Sequence, residues 1–251
     1  MTPFTVIIPA RHASTRLPGK PLLPLAGRPV IEHVWRAAVS SGADRVIIAT
    51  DHAGISDCAT AFGAEVCMTG SAHRSGTERI AEVVRAIGIG DDAIIVNLQG
   101  DEPLMPASLL VRVAETLAEA PGSVMATLST PLMDADELHD PHTVKLVTGH
   151  DGRALYFSRA AIPRDRRGHT DWQMSVARRH LGLYAYRAGF LRRYPLLPES
   201  PLENLEQLEQ LRVLQAGERI QVGEVTERPG HGIDTERDLA AAEAALIRRS
   251  R

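Results

Sequence analysis

Three cations stand close together early in the chain: Arg11, Arg16 and Lys20, with Ser14, Thr15 and Gly19 among them. They follow Phe4 to Ile8, a short β-branched apolar run of the kind that forms a buried parallel strand, which Pro9 is expected to end. A loop leaving the carboxyl end of the first strand of an α/β sheet is where such folds take up ligands. Cations, hydroxyls and free backbone N–H groups in that loop suit a polyphosphate. Three scattered cations by themselves describe only a solvated basic loop, so the order of the residues must carry anything further. The loop is not a Walker loop, because Lys20 is followed by Pro21 and no glycine stands five positions before Gly19. A G-x-G-x-x-G dinucleotide fingerprint is absent here as well.

Two carboxylates could serve the same chemistry. Asp101, in Gln99-Gly100-Asp101-Glu102-Pro103, follows the most apolar strand candidate. It reads about equally as a cap for the next helix and as a magnesium ligand, since Mg²⁺ takes one or two carboxylates plus phosphate oxygens and water. Asp234, in Gly230-His231-Gly232-Ile233-Asp234-Thr235, precedes a helix, and an N-cap alone would account for it. Ser75 and Thr77 are cap candidates for a helix opening at Gly76, and Arg79 can reach a phosphate or a surface acid. In Arg179 to Tyr186, strand alternation puts His180, Gly182 and Tyr184 on one face and Leu181 and Leu183 on the other. Arg159 follows another strand and reads as solvated. Glu209 and Gln210 fall in a long amphipathic helix expected from about Leu202 to Gln215, with Leu205, Leu208 and Leu211 as packing positions.

These residues need a scaffold, and the periodicity supplies one. Strands at Arg45 to Ala49, Glu65 to Met68, Ala93 to Leu98 and Val124 to Ser129 alternate with helices at Pro29 to Ser41, Ala53 to Phe62, Gly76 to Ile87 and Pro106 to Glu119. This is the pattern of an α/β protein with a doubly wound, mostly parallel sheet. From residue 132 to 225 strands are separated by loops more than by helices, which predicts a smaller α+β lobe inserted in the first. An alanine-rich helix, Asp234 to Arg249, follows. The expected division is 1–131 plus 226–251 for the core and 132–225 for the lobe. A net charge of −3 over 251 residues argues against broad nucleic-acid binding. Cys58 and Cys67 have no partner cluster, so neither a disulfide framework nor a zinc site is expected and a reducing, cytoplasmic setting fits. No apolar run approaches a membrane span, and no leader is read at the N-terminus.

Pro9-Ala10-Arg11 with Ser14-Thr15-Arg16-Leu17-Pro18-Gly19-Lys20 closely resembles the signature loop of sugar nucleotidyltransferases, and in particular the 3-deoxy-manno-octulosonate (KDO) cytidylyltransferases. Gln99 to Pro103, Ser75-Gly76-Thr77-Glu78-Arg79, Tyr156-Phe157-Ser158-Arg159 with Ile162-Pro163, His180 with Tyr184, and Gly232 to Thr235 repeat the family's motifs in order. The resemblance covers nearly the full chain, Val6 to Asp238. It implies a Rossmann-like nucleotidyltransferase fold and transfer of CMP from CTP to KDO, with release of diphosphate, for lipopolysaccharide synthesis. It assigns Ala10, Arg11, Ser14, Lys20, Ser75, Gly76, Arg79 and Gln99 to CTP. Arg16, Gln99, Arg159, His180, Tyr184, Glu209 and Gln210 are assigned to KDO. Asp101 and Asp234 become a Mg²⁺ site joining the α-phosphate and the acceptor hydroxyl, with a second Mg²⁺ on the triphosphate. Arg11, Arg16, Lys20, Asp101 and Asp234 form the catalytic set, and a homodimer joined through the smaller lobe is implied. Many relatives carry an aromatic residue where Arg164 stands, so that position has no assigned role. Two alternatives stay open: a related transferase for another sugar acid of the sialic type, and a nucleotide-binding regulator without catalysis.

Overall fold

The computed structural model describes residues 2–13 and 17–249. In chain order the first part holds β1 (Thr5–Ala10), a small hairpin of β2 (Pro24–Leu25) and β3 (Arg28–Pro29), α1 (Val30–Ser40), β4 (Arg45–Thr50), α2 (Ala53–Ala61), β5 (Glu65–Met68), α3 (Gly76–Ile87), β6 (Ile94–Asn97) and α4 (Ala107–Ala118). Then come β7 (Met125–Pro131), α5 (Ala135–His139), β8 (Lys145–Thr148), β9 (Ala154–Ser158), α6 (Thr170–Val176), β10 (Arg178–Arg187) and α7 (Ala188–Arg193). The chain closes with α8 (Pro201–Glu206), α9 (Gln210–Gln215), β11 (Ile220–Glu224) and α10 (Glu236–Arg249). The fold is α/β, with a mostly parallel sheet flanked by helices, as the alternation of elements predicts.

The chain divides into two compact units. The first comprises Met1–Ala114, Tyr186–Pro195 and Pro229–Arg251, and the second Glu115–Ala185 and Leu196–Arg228. This division differs from the boundaries expected from the sequence. β7, read as a core strand, falls in the second unit beside β11, which was expected in the lobe, while the helix α7 falls in the first.

In the first unit four strands lie in the order β6-β1-β4-β5, every pair parallel. Their central residues, among them Val6, Ile7, Ile8, Ile47, Ile48 and Val96, are completely buried, which is why they read as unbroken apolar runs. Pro9 does not end β1, contrary to expectation: the strand continues to Ala10, with Pro9 opposite Ala49. The Ile7 carbonyl accepts a hydrogen bond from the Leu98 N–H, so odd positions of β1 face β6. Pairing with β6 stops at Ile7. Pro9 therefore lacks an N–H only where no ladder bond is called for.

In the second unit β7 and β11 run parallel, β8 and β9 form an antiparallel hairpin, and β8 also pairs antiparallel with the start of β10. The short helices α5 and α6 escape a periodicity reading because each offers only a turn or two. Asp134 caps α5 by accepting from the Glu137 N–H, and Leu138 with Ala177 and Met174 forms a small core there. The helix expected over Leu202 to Gln215 is two helices, α8 and α9. Gln207 between them adopts a left-handed conformation with φ of 54°. That break changes the phase, so Leu208 and Leu211 are buried while Leu205 is 81% exposed, against its expected packing role.

Candidate active site

In the first unit, the chain after β1 makes a loop closed at its neck by a hydrogen bond from the Gly19 N–H to the His12 carbonyl, 3.2 Å. Gly19 has φ of 67°, which glycine adopts at no steric cost, and it launches a single 3-10 turn beginning at Lys20. Arg11, on the other side of the neck, is exposed. Ser14 and Arg16 lie outside the described residues. His12 stacks on His52, with ring centroids 4.0 Å apart, so the neck is tied to the end of β4. Sequence reasoning passed over this pair because the two histidines are far apart in the chain.

Lys20 is buried and its ammonium is the meeting point of the unit. Nζ lies 2.7 Å from Asp101 Oδ2 and 3.3 Å from Asp234 Oδ1, and it also donates to the Ile233 carbonyl. Two carboxylates that the sequence leaves readable as separate helix caps thus face one cation. Asp101 lies in the segment between β6 and α4. The segment before α10 reaches it because the Ile233 N–H donates to the Asp101 carbonyl at 2.8 Å. The cap of α10 is made by Thr235 and Asp238, whose side chains and N–H groups bond reciprocally, and this leaves the Asp234 carboxylate turned to Lys20. Gly100 is required by close approach: a Cβ there would lie 2.8 Å from the Pro9 carbonyl oxygen.

Glu102 is a further acid that the sequence reading did not single out. Its Oε2 is enclosed and has no hydrogen-bond partner among the described residues. Burial first, then the facing Asp101 and Asp234, push its carboxyl up to about 8. The signal was in plain view beside Asp101, but the crowding of acids exists only once residues 232–234 fold over it.

The oxygens of Asp101 and Asp234 converge on one ammonium, and hard carboxylate donors of this kind fit Mg²⁺. Among the described residues no group of three or more acidic, His or Cys side chains is arranged to hold a metal. An ion at this pair would take its remaining ligands from phosphate and water, as Mg²⁺ commonly does.

The remaining residues assigned to the nucleotide surround β1 and β6. Ala10 is buried at the end of β1, and Gln99 donates to Asn97 Oδ1 at 3.0 Å. A Cβ on Gly76 would stand 3.1 Å from Gln99 Nε2 and 3.2 Å from Pro9 Cγ, so packing alone calls for glycine. Ser75 is the cap of α3, accepting from the Glu78 N–H. Arg79, assigned to the nucleotide, is buried with its guanidinium bonded to Asp51 Oδ2 at 2.8 Å, to the Gly70 carbonyl and to Thr69. Asp51, at the end of β4, is its partner within the chain.

In the second unit His180 and Tyr184 of β10 lie with ring centroids 5.5 Å apart, and the edge of Phe157 meets His180. The Tyr184 hydroxyl donates to Gln210 Oε1 at 3.1 Å. Gln210 is buried and its Nε2 has no partner among the described residues, whereas Glu209 is exposed. Arg159 is not simply solvated: Nε donates to the Glu206 carbonyl at 2.7 Å and a terminal nitrogen to the Pro141 carbonyl at 3.0 Å. The Glu206 carboxylate accepts from Ser158 Oγ and the Arg159 N–H. Lys145, fully buried, donates to the carbonyls of Asp140, Thr143 and Arg159. Sequence reasoning missed Glu206 because it treated α8 and α9 as one helix.

A mostly parallel sheet with an acid–lysine cluster beyond its strand ends is the frame of a nucleotidyltransferase. The model of the cytidylyltransferase family matches residues 5–220, and the chain belongs to that family. It is 54% identical over 248 residues to a 3-deoxy-manno-octulosonate cytidylyltransferase of Halorhodospira halophila (strain DSM 244 / SL1), covering 97% of this chain and 96% of the relative. Among solved structures it is similar to CMP:2-keto-3-deoxy-manno-octonic acid synthetase complexed with CTP, with a TM-score of 0.90, 38% identity and coverage of 98% and 99% of the two chains. A nucleotidyl transferase from Methanothermobacter thermautotroptrophicus shares the fold at a TM-score of 0.65 and 21% identity, covering 99% of this chain and 100% of the other.

Proposed function

We propose that the protein transfers CMP from CTP to KDO, giving CMP-KDO and diphosphate. The observation that carries this reading is the Lys20 ammonium set between Asp101 and Asp234, residues from distant parts of the chain. It is supported by the high identity to a protein named for this activity and by likeness to a synthetase whose structure includes CTP.

The anomeric hydroxyl of KDO attacks the α-phosphorus in line with the departing diphosphate. Charge develops on the α-phosphoryl oxygens and on the leaving group. Lys20, held by Asp101 and Asp234, and the exposed Arg11 are the cations for that charge, and Arg16 is assigned to the α-phosphate or the KDO carboxylate. Asp101 and Asp234 are the residues that would hold Mg²⁺, which when bound adds positive charge at the α-phosphate and at the acceptor hydroxyl. His180, Tyr184, Glu209, Gln210 and Arg159 are the sugar-acid residues in this reading.

The free thiols of Cys58 and Cys67 fit a reducing cytoplasm. Among the described residues no helix is long and apolar enough to cross a membrane. Met133, Leu155, Trp172 and Val176 in the second unit are large, apolar and exposed, which supports a homodimer joined through that unit.

Purified protein incubated with CTP, Mg²⁺ and KDO is expected to release diphosphate and form CMP-KDO, identified by mass. Product with a sialic acid and none with KDO would keep the nucleotide half of the reading and overturn the sugar half. CTP binding with no turnover on either acid would point to a regulator.

A further inference from the structure

Thr127 of β7 is completely buried, and its hydroxyl has three neighbours within the second unit. Oγ1 lies 2.8 Å from the Leu183 carbonyl oxygen, 3.0 Å from the Leu181 carbonyl oxygen and 2.9 Å from His180 Nε2. Carbonyl oxygens only accept hydrogen bonds, and a threonine hydroxyl has a single proton to give. With two carbonyls competing for that proton, Oγ1 can meet His180 only as an acceptor. His180 Nε2 must then carry a hydrogen. Burial pushes the imidazole down to about 3, so the ring is neutral and has one N–H only. Nδ1 is left bare, and it has no hydrogen-bond partner among the described residues.

We propose that Thr127 is a positioning residue that holds His180 as the Nε2–H tautomer, so that Nδ1 offers a lone pair to a hydroxyl group of the substrate. A bare imidazole nitrogen accepts from a sugar hydroxyl and repels a carboxylate, so His180 reads the polyol part of a sugar acid and not its acid group. The proposal rests on the reading that the second unit takes the sugar acid. Aromatic contact alone would not give this selectivity. Phe157 and Tyr184 hold the ring in place, but neither determines which nitrogen carries the proton.

The experiment combines spectroscopy with kinetics. In ¹⁵N-histidine-labelled protein, His180 is expected to show a protonated Nε2 and a bare Nδ1 across the neutral pH range without substrate. Added KDO is expected to shift Nδ1 and leave the ring neutral. Thr127→Val should lose the tautomer preference and raise KM for KDO about tenfold, the cost of one hydrogen bond, with KM for CTP little changed. Thr127→Ser should restore both readouts. An Nδ1–H tautomer in the wild type, an imidazolium on KDO binding, or a Thr127→Val enzyme with unchanged tautomer and KM would each overturn the proposal. If Thr127→Val fails to fold, the wild-type spectrum and Thr127→Ser decide. Absence of CMP-KDO turnover would count against the function and not against the tautomer, which is read in the free protein.

Discussion

At the scale of single residues, the acid–lysine cluster makes the sharpest claim. Asp101 is partly exposed and pairs with Lys20, so Asp101→Asn keeps the volume and the fold while removing one charge of the pair. Turnover is expected to fall by about a hundredfold or more, with circular dichroism unchanged. Near-wild-type turnover would sink the metal assignment. Lys20→Ala removes the cation shared by both carboxylates, and kcat/KM is expected to drop by about two to three orders of magnitude. Lys20→Arg is a poor rescue, because a planar fork cannot take the place of a compact ammonium in that buried position. The members of this cluster were legible beforehand through the resemblance, which singled out Lys20, Asp101 and Asp234. Its geometry was not: each acid also made sense as a helix cap, and only the capping of α10 by Thr235 and Asp238 releases Asp234.

At the scale of elements, the site depends on backbone crossing close to backbone. Gly100 passes so near β1 that a methyl group would press on the Pro9 carbonyl at 2.8 Å. Gly100→Ala must displace the segment after β6, and with it Asp101. A loss of about 1–3 kcal/mol in stability is expected, together with a fall in kcat. Denaturant unfolding and kinetics measured on one preparation test it, and an alanine variant with normal stability and kcat would show that the contact relaxes at no cost. Regular elements with strong periodicity were readable, such as α3 and β5, whose expected limits coincide with the observed ones. The junction of α8 and α9 was not. Gln207 carries no local sign of a left-handed conformation, and helical propensity on both sides hides the break.

At the scale of the molecule, two groups of the second unit set an acid limit. His180 in the folded state, at about 3, lies below the ordinary imidazole value of 6.5, so the unfolded chain takes up the proton first. Its contribution is complete above that ordinary value and is lost as pH falls toward 3, with an upper bound of about 5 kcal/mol. Burial pulls the Glu137 carboxyl upward, yet hydrogen bonds from Arg228, the Met133 N–H and Arg179 hold it at about 2. Its contribution is present above the ordinary carboxylate value of 4.5 and disappears as pH falls through about 2. Stability followed by denaturant titration is therefore expected to decline from pH about 6.5 downward, and Glu137→Gln should flatten the lower part of that decline. A flat profile down to pH about 4 would contradict a buried neutral His180.

By itself the sequence determined the fold class, the succession of most strands and helices and, through its resemblance, the family. These follow from local rules: side-chain periodicity, glycine and proline at turns, and residue types in a fixed order. Tertiary structure decided which groups meet. It brought Asp101 and Asp234 onto Lys20, enclosed Glu102 among them, committed Arg79 to Asp51, and placed Thr127 against His180. The strength of an ionic or hydrogen-bonding group depends on its distance to partners and on exclusion of water, and residues far apart in the chain acquire both only when it folds.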